Sequence, residues 1–426
     1  MLLLETEVAV VGAGPAGLLA ALWLARANIA SVVLDKGRFP RAKPCADILT
    51  SNAVRALNAL DPTILTELAA ADQSRPIGGT LVYAPNGHAL AVDFRPLDGR
   101  PGVPSCYAIA RADLDYALYR RAVASPLIRV LENEAVRAIE RTPEGVTITS
   151  AGHRIGARLV VLANGSNSTL GDRLVGERKQ PRHVAVGVRA YYENVGPLPR
   201  PDYCELYLTK ELLPGGFYLA PLPGNRCNVN VVMRSDVVRR KKLNLNELLA
   251  RSIAEHPVLR ERFRHARLMS RVEGGALYLG TRPRPISSER ILLAGDAAGL
   301  IDLVSANGIP QAMVSGRLAA EVAAEALAAH DFSAAFLRRY DRAVYRAVAN
   351  DLTLGRVLSP ILGFPLVLRG VGALFNVLAR RAATNDALRD LLYDPRVGRT
   401  LLDPRFYLRL LRGTKKTPAL NPVCDS

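Results

Sequence analysis

The sequence predicts an α/β protein: a doubly wound, Rossmann-like parallel sheet, an inserted antiparallel sheet and a helical C-terminal region. Three observations predict it. An apolar, β-rich run from Val8 to Val11 meets a glycine turn and an Ala/Leu helix, and a second apolar strand then ends on Asp35. Two further apolar strands, at 158–163 and 291–294, run straight into polar, glycine-bearing loops. Between them, residues 183–233 alternate apolar and polar side chains, the period of antiparallel strands with one buried face.

The first turn reads Gly12-x-Gly14-Pro15-Ala16-Gly17. Gly12 makes the tight turn, Gly14 lets a pyrophosphate approach the backbone, and Gly17 lets the helix pack closely on the sheet. The helix beginning there offers free N–H groups and a positive dipole end to phosphates. Asp35, followed by Lys36, stands where a carboxylate accepts a ribose 2′-hydroxyl and disfavours a 2′-phosphate. A lone glycine pattern is weak evidence. Here strand, turn, helix, second strand and acid all occur in order, so a dinucleotide site is expected.

The 426 residues suit two or three domains and a large core. A net charge of +17, carried mainly by arginine, suits an anionic partner, whether cofactor phosphate or membrane surface, or else only solvated faces. No nucleic-acid-binding motif is present, which argues against that partner. The five cysteines (45, 106, 204, 227 and 424) show no CxxC spacing, and the N-terminus enters its first strand without a signal peptide, so a cytoplasmic setting is expected. The histidines are scattered, which argues against metal.

After Asp35 comes a Pro-broken loop with Arg38, Arg41, Lys43 and Cys45. Residues 79–95 alternate around Asn86-Gly87, a hairpin signal. A strand at Tyr107 runs into a helix opened by Arg111 and reaching about Ala124. A cation there is misplaced against the helix dipole unless an anion holds it; a cofactor phosphate and a plain surface position are both open. A β-meander is expected over 127–150, and the following strand ends in Asn164-Gly165-Ser166. Residues 244–263 read as one helical stretch, 269–279 as a strand, and 307–329 as a long helix after Gly295-Asp296. Residues 1–78, 100–182 and 285–330 are assigned to the nucleotide domain, 79–99 and 183–284 to the substrate sheet, and 331–426 to the helical tail. That tail holds 16 Lys/Arg and 8 Asp/Glu. Its apolar run at 357–379 is broken by Pro360 and Pro365, which makes a membrane span a poor reading. A lid over the core and a peripheral membrane contact flanked by Arg380 and Arg381 remain open.

Together the three strand-end motifs resemble the FAD-dependent oxidoreductases of the para-hydroxybenzoate hydroxylase type, over about residues 1–330. The resemblance implies that Gly12, Gly14, Pro15, Ala16, Gly17, Asp35 and Lys36 hold the ADP half of FAD. It places the family's arginine on Arg111 and its middle motif, normally Asp-Gly, on Asn164-Gly165. It places the ribityl-binding motif on Gly295-Asp296, and the helix start facing the flavin on Ala306, Asn307, Gly308 and Ile309. Within this group the chain is most similar to the geranylgeranyl reductase branch: Phe39-Pro-Arg-Ala-Lys-Pro-Cys45 matches its FPRxKPC signature, and 214–221 resembles its substrate motif, with Tyr218 near the usual Trp. The chain departs from the branch where Ala46-Asp47 and Asn228/Asn230 replace glycines, where Leu303 replaces a proline, and where Ala306-Asn307-Gly308 replaces Gly-Glu-Gly.

The resemblance implies reduction of a carbon–carbon double bond in a hydrophobic or carrier-tethered substrate (isoprenoid, polyene, polyketide or aromatic). Cys45 would be the proton donor, also lying against the cofactor, with Tyr218 an aromatic wall; for both, ordinary packing is the competing reading. With one dinucleotide fingerprint only, NAD(P)H is expected to dock transiently, or another protein to deliver electrons. A monooxygenase of secondary metabolism and a non-catalytic flavin- or lipid-binding module are the alternatives. Flavin-dependent halogenases share the GDAAG stretch, but their WxWxI motif is absent, Trp23 being the only tryptophan.

Overall fold

A computed structural model of the chain describes residues 2–84, 89–166, 169–176, 179–209, 211–360 and 405. Its first sheet runs Ser287–Ser288, Ile291–Leu293, His153–Leu162, Leu2–Val11, Ser31–Leu34, Ile128–Leu131, with the hairpin Ala138–Arg141/Val146–Thr149 paired onto His153–Leu162. Leu2–Val11 pairs in parallel with both His153–Leu162 and Ser31–Leu34. Val8, Val10, Val33, Leu159 and Val161 are fully buried, as a parallel sheet covered on both faces requires.

The meander expected over 127–150 is only half there. Ile128–Leu131 joins the parallel sheet beside Ser31–Leu34, delivered by the helix Arg111–Val123, and only the next two strands form a hairpin. A two-residue period reports a buried face; it does not choose the partner strand.

The helix Pro15–Arg26 is nearly all apolar and buries nine of its twelve residues. It is held between the first strand and the long helix Ile309–Ala329, whose Gly316 lies so close that an added Cβ would stand 2.2 Å from the Ala16 carbonyl oxygen. This packing brings the loop before the second helix beside the glycine turn before the first.

The second sheet runs Arg267–Leu268, Val184–Glu193, Arg226–Arg234, Gly216–Leu222, Tyr203–Tyr207, Gly79–Tyr83, Ala89–Asp93, and Glu273–Tyr278 also pairs with Val184–Glu193. It is antiparallel except where Tyr203–Tyr207 meets Gly79–Tyr83 in parallel. The 79–93 hairpin forms, its Asn86-Gly87 turn lying outside the described residues. One face packs Phe217, Leu219, Val229 and Val231 with Leu245, Leu248, Leu249 and Leu259. Those last four come from two helices, Leu245–Glu255 and Pro257–Arg262, rather than the single one expected: His256 has ψ 121° ahead of Pro257, which removes a helical N–H and disfavours helix before it.

The other face turns toward the parallel sheet. There Cys204, Ala220, Leu222, Tyr191 and Tyr218 cluster with Ile48, Ile77, Cys106 and Ala108. Ile48–Leu49, Tyr107–Ile109 and Ser74–Pro76 form a small third sheet that the sequence did not announce. The tail begins with the helices Ala334–Ala347, whose first turn Ser333 caps, and Ala349–Leu358. Beyond residue 360 the apolar 357–379 stretch, with Arg380 and Arg381, lies outside the described residues. Among the described residues, no helix is long and apolar enough to cross a membrane.

Candidate active site

The three glycines of the first turn differ in what surrounds them. An added Cβ on Gly17 would stand 1.8 Å from the Gly12 carbonyl oxygen, and on Gly12, at φ 102°, 2.4 Å from that of Ala163. Both are therefore packing glycines. Gly14 is open, and a Cβ there would meet only guanidinium nitrogens of Arg41 and Arg111, at 3.9 and 4.0 Å. Gly14 is also the N-cap of Pro15–Arg26, with no side-chain hydrogen bond capping the helix.

Asp35 is buried behind this turn. Its carboxylate accepts from the backbone N–H groups of Ala13 (2.7 Å) and Gly37 (2.8 Å) and pairs with Arg41 at 3.0 Å. Lys36 is exposed beside it. Arg111 is not a surface residue. It is 3% exposed, and its guanidinium forks onto Asp115 at 2.9 and 2.8 Å, so the anion that holds it at the helix start is one turn along the same helix. Arg41 reaches the same Asp115 at 3.5 Å.

The second loop follows directly, since the Ala163 N–H donates to the Val11 carbonyl at 2.8 Å. Gly165 beyond it has φ 80° and open space around its Cα, and Asn164 is half-buried. In the third loop Gly295 takes φ 62° against Ala16 and Ala312. Asp296 pairs with Lys43 at 3.0 Å, and a Cβ on Gly308 would lie 3.1 Å from its carboxylate. Ala306 takes φ 53°, a conformation natural to the glycine it replaces. The Asn307 side chain accepts from the Ile309 N–H at 3.2 Å, so one donor expected to face the cofactor is already engaged at this helix start.

Cys45 is half-buried, whereas Cys106, Cys204 and Cys227 are buried. Burial pushes its thiol up, while the Arg111 guanidinium opposes the rise. Beside it lies a residue that sequence reasoning noted only as a departure. Asp47 is fully buried; its carboxylate accepts from the Tyr191 hydroxyl at 2.7 Å, Asn228 Nδ2 at 2.5 Å and the Arg111 backbone N–H at 3.2 Å. Burial lifts its pKa to about 6 against those donors and nearby Arg189. Asn228 also donates to the Cys45 carbonyl at 2.8 Å and accepts from Asn230 at 2.9 Å. Three polar residues where the branch has glycines were the available signal. Their mutual contact was not visible in the sequence. Tyr218 sits half-buried in the interface cluster, and burial raises its hydroxyl well above the ordinary value beside Cys204. It is a poor acid.

These residues fit a pyrophosphate-containing cofactor. Gly14 is the uncrowded point of the turn, two guanidinium groups converge on it, and the buried Arg41 Nε has no hydrogen-bond partner.

The comparisons agree. The family model described as FAD binding domain matches residues 5–342. The chain is 31% identical over 345 residues to digeranylgeranylglycerophospholipid reductase 2 of Methanopyrus kandleri, spanning 79% of this chain and 81% of that one. It is 30% identical over 390 residues to menaquinone reductase of Mycobacterium tuberculosis, spanning 88% and 90%. Among solved structures, a geranylgeranyl bacteriochlorophyll reductase-like protein of Thermoplasma acidophilum superposes with TM-score 0.73 at 20% identity, covering 96% of each chain. A flavin-dependent brominase superposes with TM-score 0.68 at 20% identity, covering 87% of this chain and 93% of that one. At such identity these last two speak to fold alone. The chain belongs to the FAD-binding family, in its geranylgeranyl reductase branch, and is an FAD-dependent oxidoreductase.

Proposed function

We propose that this FAD-dependent oxidoreductase saturates a carbon–carbon double bond in an isoprenoid-type lipid or quinone side chain, using NAD(P)H or a protein donor as reductant. The observation that carries this reading is the placement of the Phe39–Cys45 segment. Through Arg41 it grips Asp35, through Lys43 it grips Asp296, and its end leaves Cys45 half-buried between the glycine-turn domain and the second sheet. The two reductases named above support it.

Bound FAD, once reduced, supplies hydride. The remaining work falls to the chain. Gly12, Gly14 and Gly17 shape the turn, and Arg41 and Arg111 neutralise phosphate charge. Asn164, Gly165, Gly295 and Asp296 would help hold the cofactor, and Ala306 to Ile309 would complete its site. Tyr218 packs against the apolar cluster of Cys204, Ala220 and Leu222 beside Cys45. Cys45 Sγ gives its proton to the carbon beside the one that takes hydride: the S–H bond breaks as the C–H bond forms, the electron pair stays on sulfur, and water then reprotonates the thiolate. A hydrophobic substrate of this kind places the protein at a membrane surface, with the basic residues after 331 as the contact and no role for nucleic acid.

The test is anaerobic incubation of the flavin-loaded protein with NAD(P)H or dithionite and either a digeranylgeranyl glycerophospholipid or a menaquinone. The expected result is product gaining two hydrogens per double bond, lost in Cys45→Ser while flavin reduction persists. Substrate that stays unsaturated without oxygen but gains an oxygen atom in air would establish a monooxygenase instead.

A further inference from the structure

We propose that Asp351, on the tail helix Ala349–Leu358, is a positioning residue for the flavin site. It fixes Gln311, whose backbone N–H is the donor left for the cofactor where the helix Ile309–Ala329 begins. This rests on the placement of Ala306 to Ile309 at the FAD site.

The first hydrogen bond of that helix runs from the Ala312 N–H to the Gly308 carbonyl at 2.9 Å, so the helix itself makes no use of the N–H groups of the three residues before Ala312. Ile309 gives its own to the Asn307 side chain, and Pro310 has none. That leaves Gln311, whose N–H meets no backbone acceptor among the described residues.

The Gln311 side chain is the handle on this turn. The residue is 3% exposed, and its Nε2 donates to the Asp351 carboxylate at 3.1 Å. The same carboxylate accepts from Asn52 Nδ2, on the helix Ser51–Leu60, at 3.3 and 3.4 Å. A carboxylate only accepts, so both amides turn nitrogen toward it, and Gln311 Oε1 is left buried without a partner. The amide is thus held in one orientation although its oxygen goes unsatisfied.

The tail helix has little room to shift. A Cβ on Gly355 would stand 2.9 Å from Leu303 Cβ and 3.4 Å from an Asp302 carboxylate oxygen, in the loop that leads to the helix start. Leu352, 1% exposed, fills the space over Gly280, where an added Cβ would meet its Cδ atoms at 2.7 and 2.8 Å. Arg356 Nε donates to the Gly280 carbonyl at 3.2 Å, and Arg234 of the second sheet donates to the Ser359 carbonyl at 3.1 Å. One helix therefore bears on Ser51–Leu60, on the cofactor loop and, through the residue after it, on the second sheet. It lies beyond residue 342, where the match to the FAD-binding family ends.

The test is FAD affinity, measured by fluorescence titration of the flavin-free full-length protein, beside its stability in urea. Asp351→Ala and Gln311→Leu are each expected to weaken FAD binding about tenfold, and the double variant no further than either, because one acts through the other. The sign is diagnostic: FAD is anionic, so removing a carboxylate would by charge alone tighten binding. Asp351→Asn, which keeps the shape and one acceptor, should show a smaller loss and stands in if the alanine variant fails to fold. Variants that lose stability yet bind FAD like wild type would make Asp351 a packing residue of the tail and overturn the proposal. Tighter binding, or losses that add in the double variant, would do the same. Asn307→Ala separates this from the placement of the helix start. If it changes FAD affinity while Asp351→Ala does not, only the role of Asp351 falls; if neither does, the placement falls with it.

Discussion

Gly14 and Gly17 stand three residues apart in one motif, yet the structure gives alanine opposite effects at the two positions. At Gly17 the new methyl would lie 1.8 Å from the Gly12 carbonyl oxygen and 3.1 Å from Val10 Cγ1, so the helix Pro15–Arg26 must move off the first strand by more than an ångström. Overpacking of this kind destabilises by about 1–3 kcal/mol or more, and with a backbone oxygen as the nearest obstacle the upper end, about 3 kcal/mol, is expected. At Gly14 the nearest atoms are 3.9 Å away and φ is −86°, so Gly14→Ala should leave the flavin-free protein as stable as wild type, or stabilise it by about 0.4–1 kcal/mol through the unfolded chain. That methyl does point between Arg41 and Arg111, where the pyrophosphate is expected, so FAD affinity should fall at least tenfold, about 1.4 kcal/mol. Urea denaturation of the flavin-free proteins, with FAD titration followed by flavin fluorescence, separates the two effects. A Gly14→Ala protein that binds FAD like wild type, or that loses as much stability as Gly17→Ala, would refute the assignment of separate roles.

Asp35→Ala leaves the buried Ala13 N–H and the Gly37 N–H without their acceptor, and about 3 kcal/mol of stability should be lost in denaturant titrations even before FAD is added. Asp47 gives a pH signature: its carboxyl rises from 3.8 to about 6 on folding, so between those values the folded protein holds a proton that the unfolded chain has released. The stability tied to this group is complete below about pH 4 and is lost as pH rises through 6. Wild type should therefore weaken relative to Asp47→Asn by up to about 3 kcal/mol between pH 4 and 7, and parallel pH–stability curves for the two proteins would contradict the buried titration. Arg262 pairs with the fully buried Glu205, which the Tyr207 hydroxyl also contacts at 2.6 Å. Removing only the cation strands a charge, so Arg262→Ala should cost about 3–5 kcal/mol, and adding Glu205→Gln should recover much of it in the same assay.

The glycine turn was legible because its constraints are local. The tight backbone approach of Gly17 to Gly12 in the same turn admits no other residue at Gly17, so the spacing carries the geometry with it. The largely apolar helix Pro15–Arg26 and the alternation of the second sheet were legible for a similar reason, since burial writes its pattern into each segment. Partnership was not. Nothing in residues 128–131 says that they lie parallel to Ser31–Leu34, and nothing near Tyr203 says that its strand runs alongside Gly79–Tyr83.

The candidate site divides along the same line. The sequence by itself determined that three apolar strands end in polar, glycine-bearing loops, and how the glycines are spaced in the first of them. Only the tertiary structure decided that Arg111 is held by Asp115, that Asn307 occupies the Ile309 N–H, and that Asp47 and Asn228 meet beside Cys45. The physical reason is range: steric limits on a backbone act between neighbours in sequence. Charge balance and desolvation act between neighbours in space, and for the buried Asp47 carboxylate those come from the helix Arg111–Val123 and two strands of the second sheet.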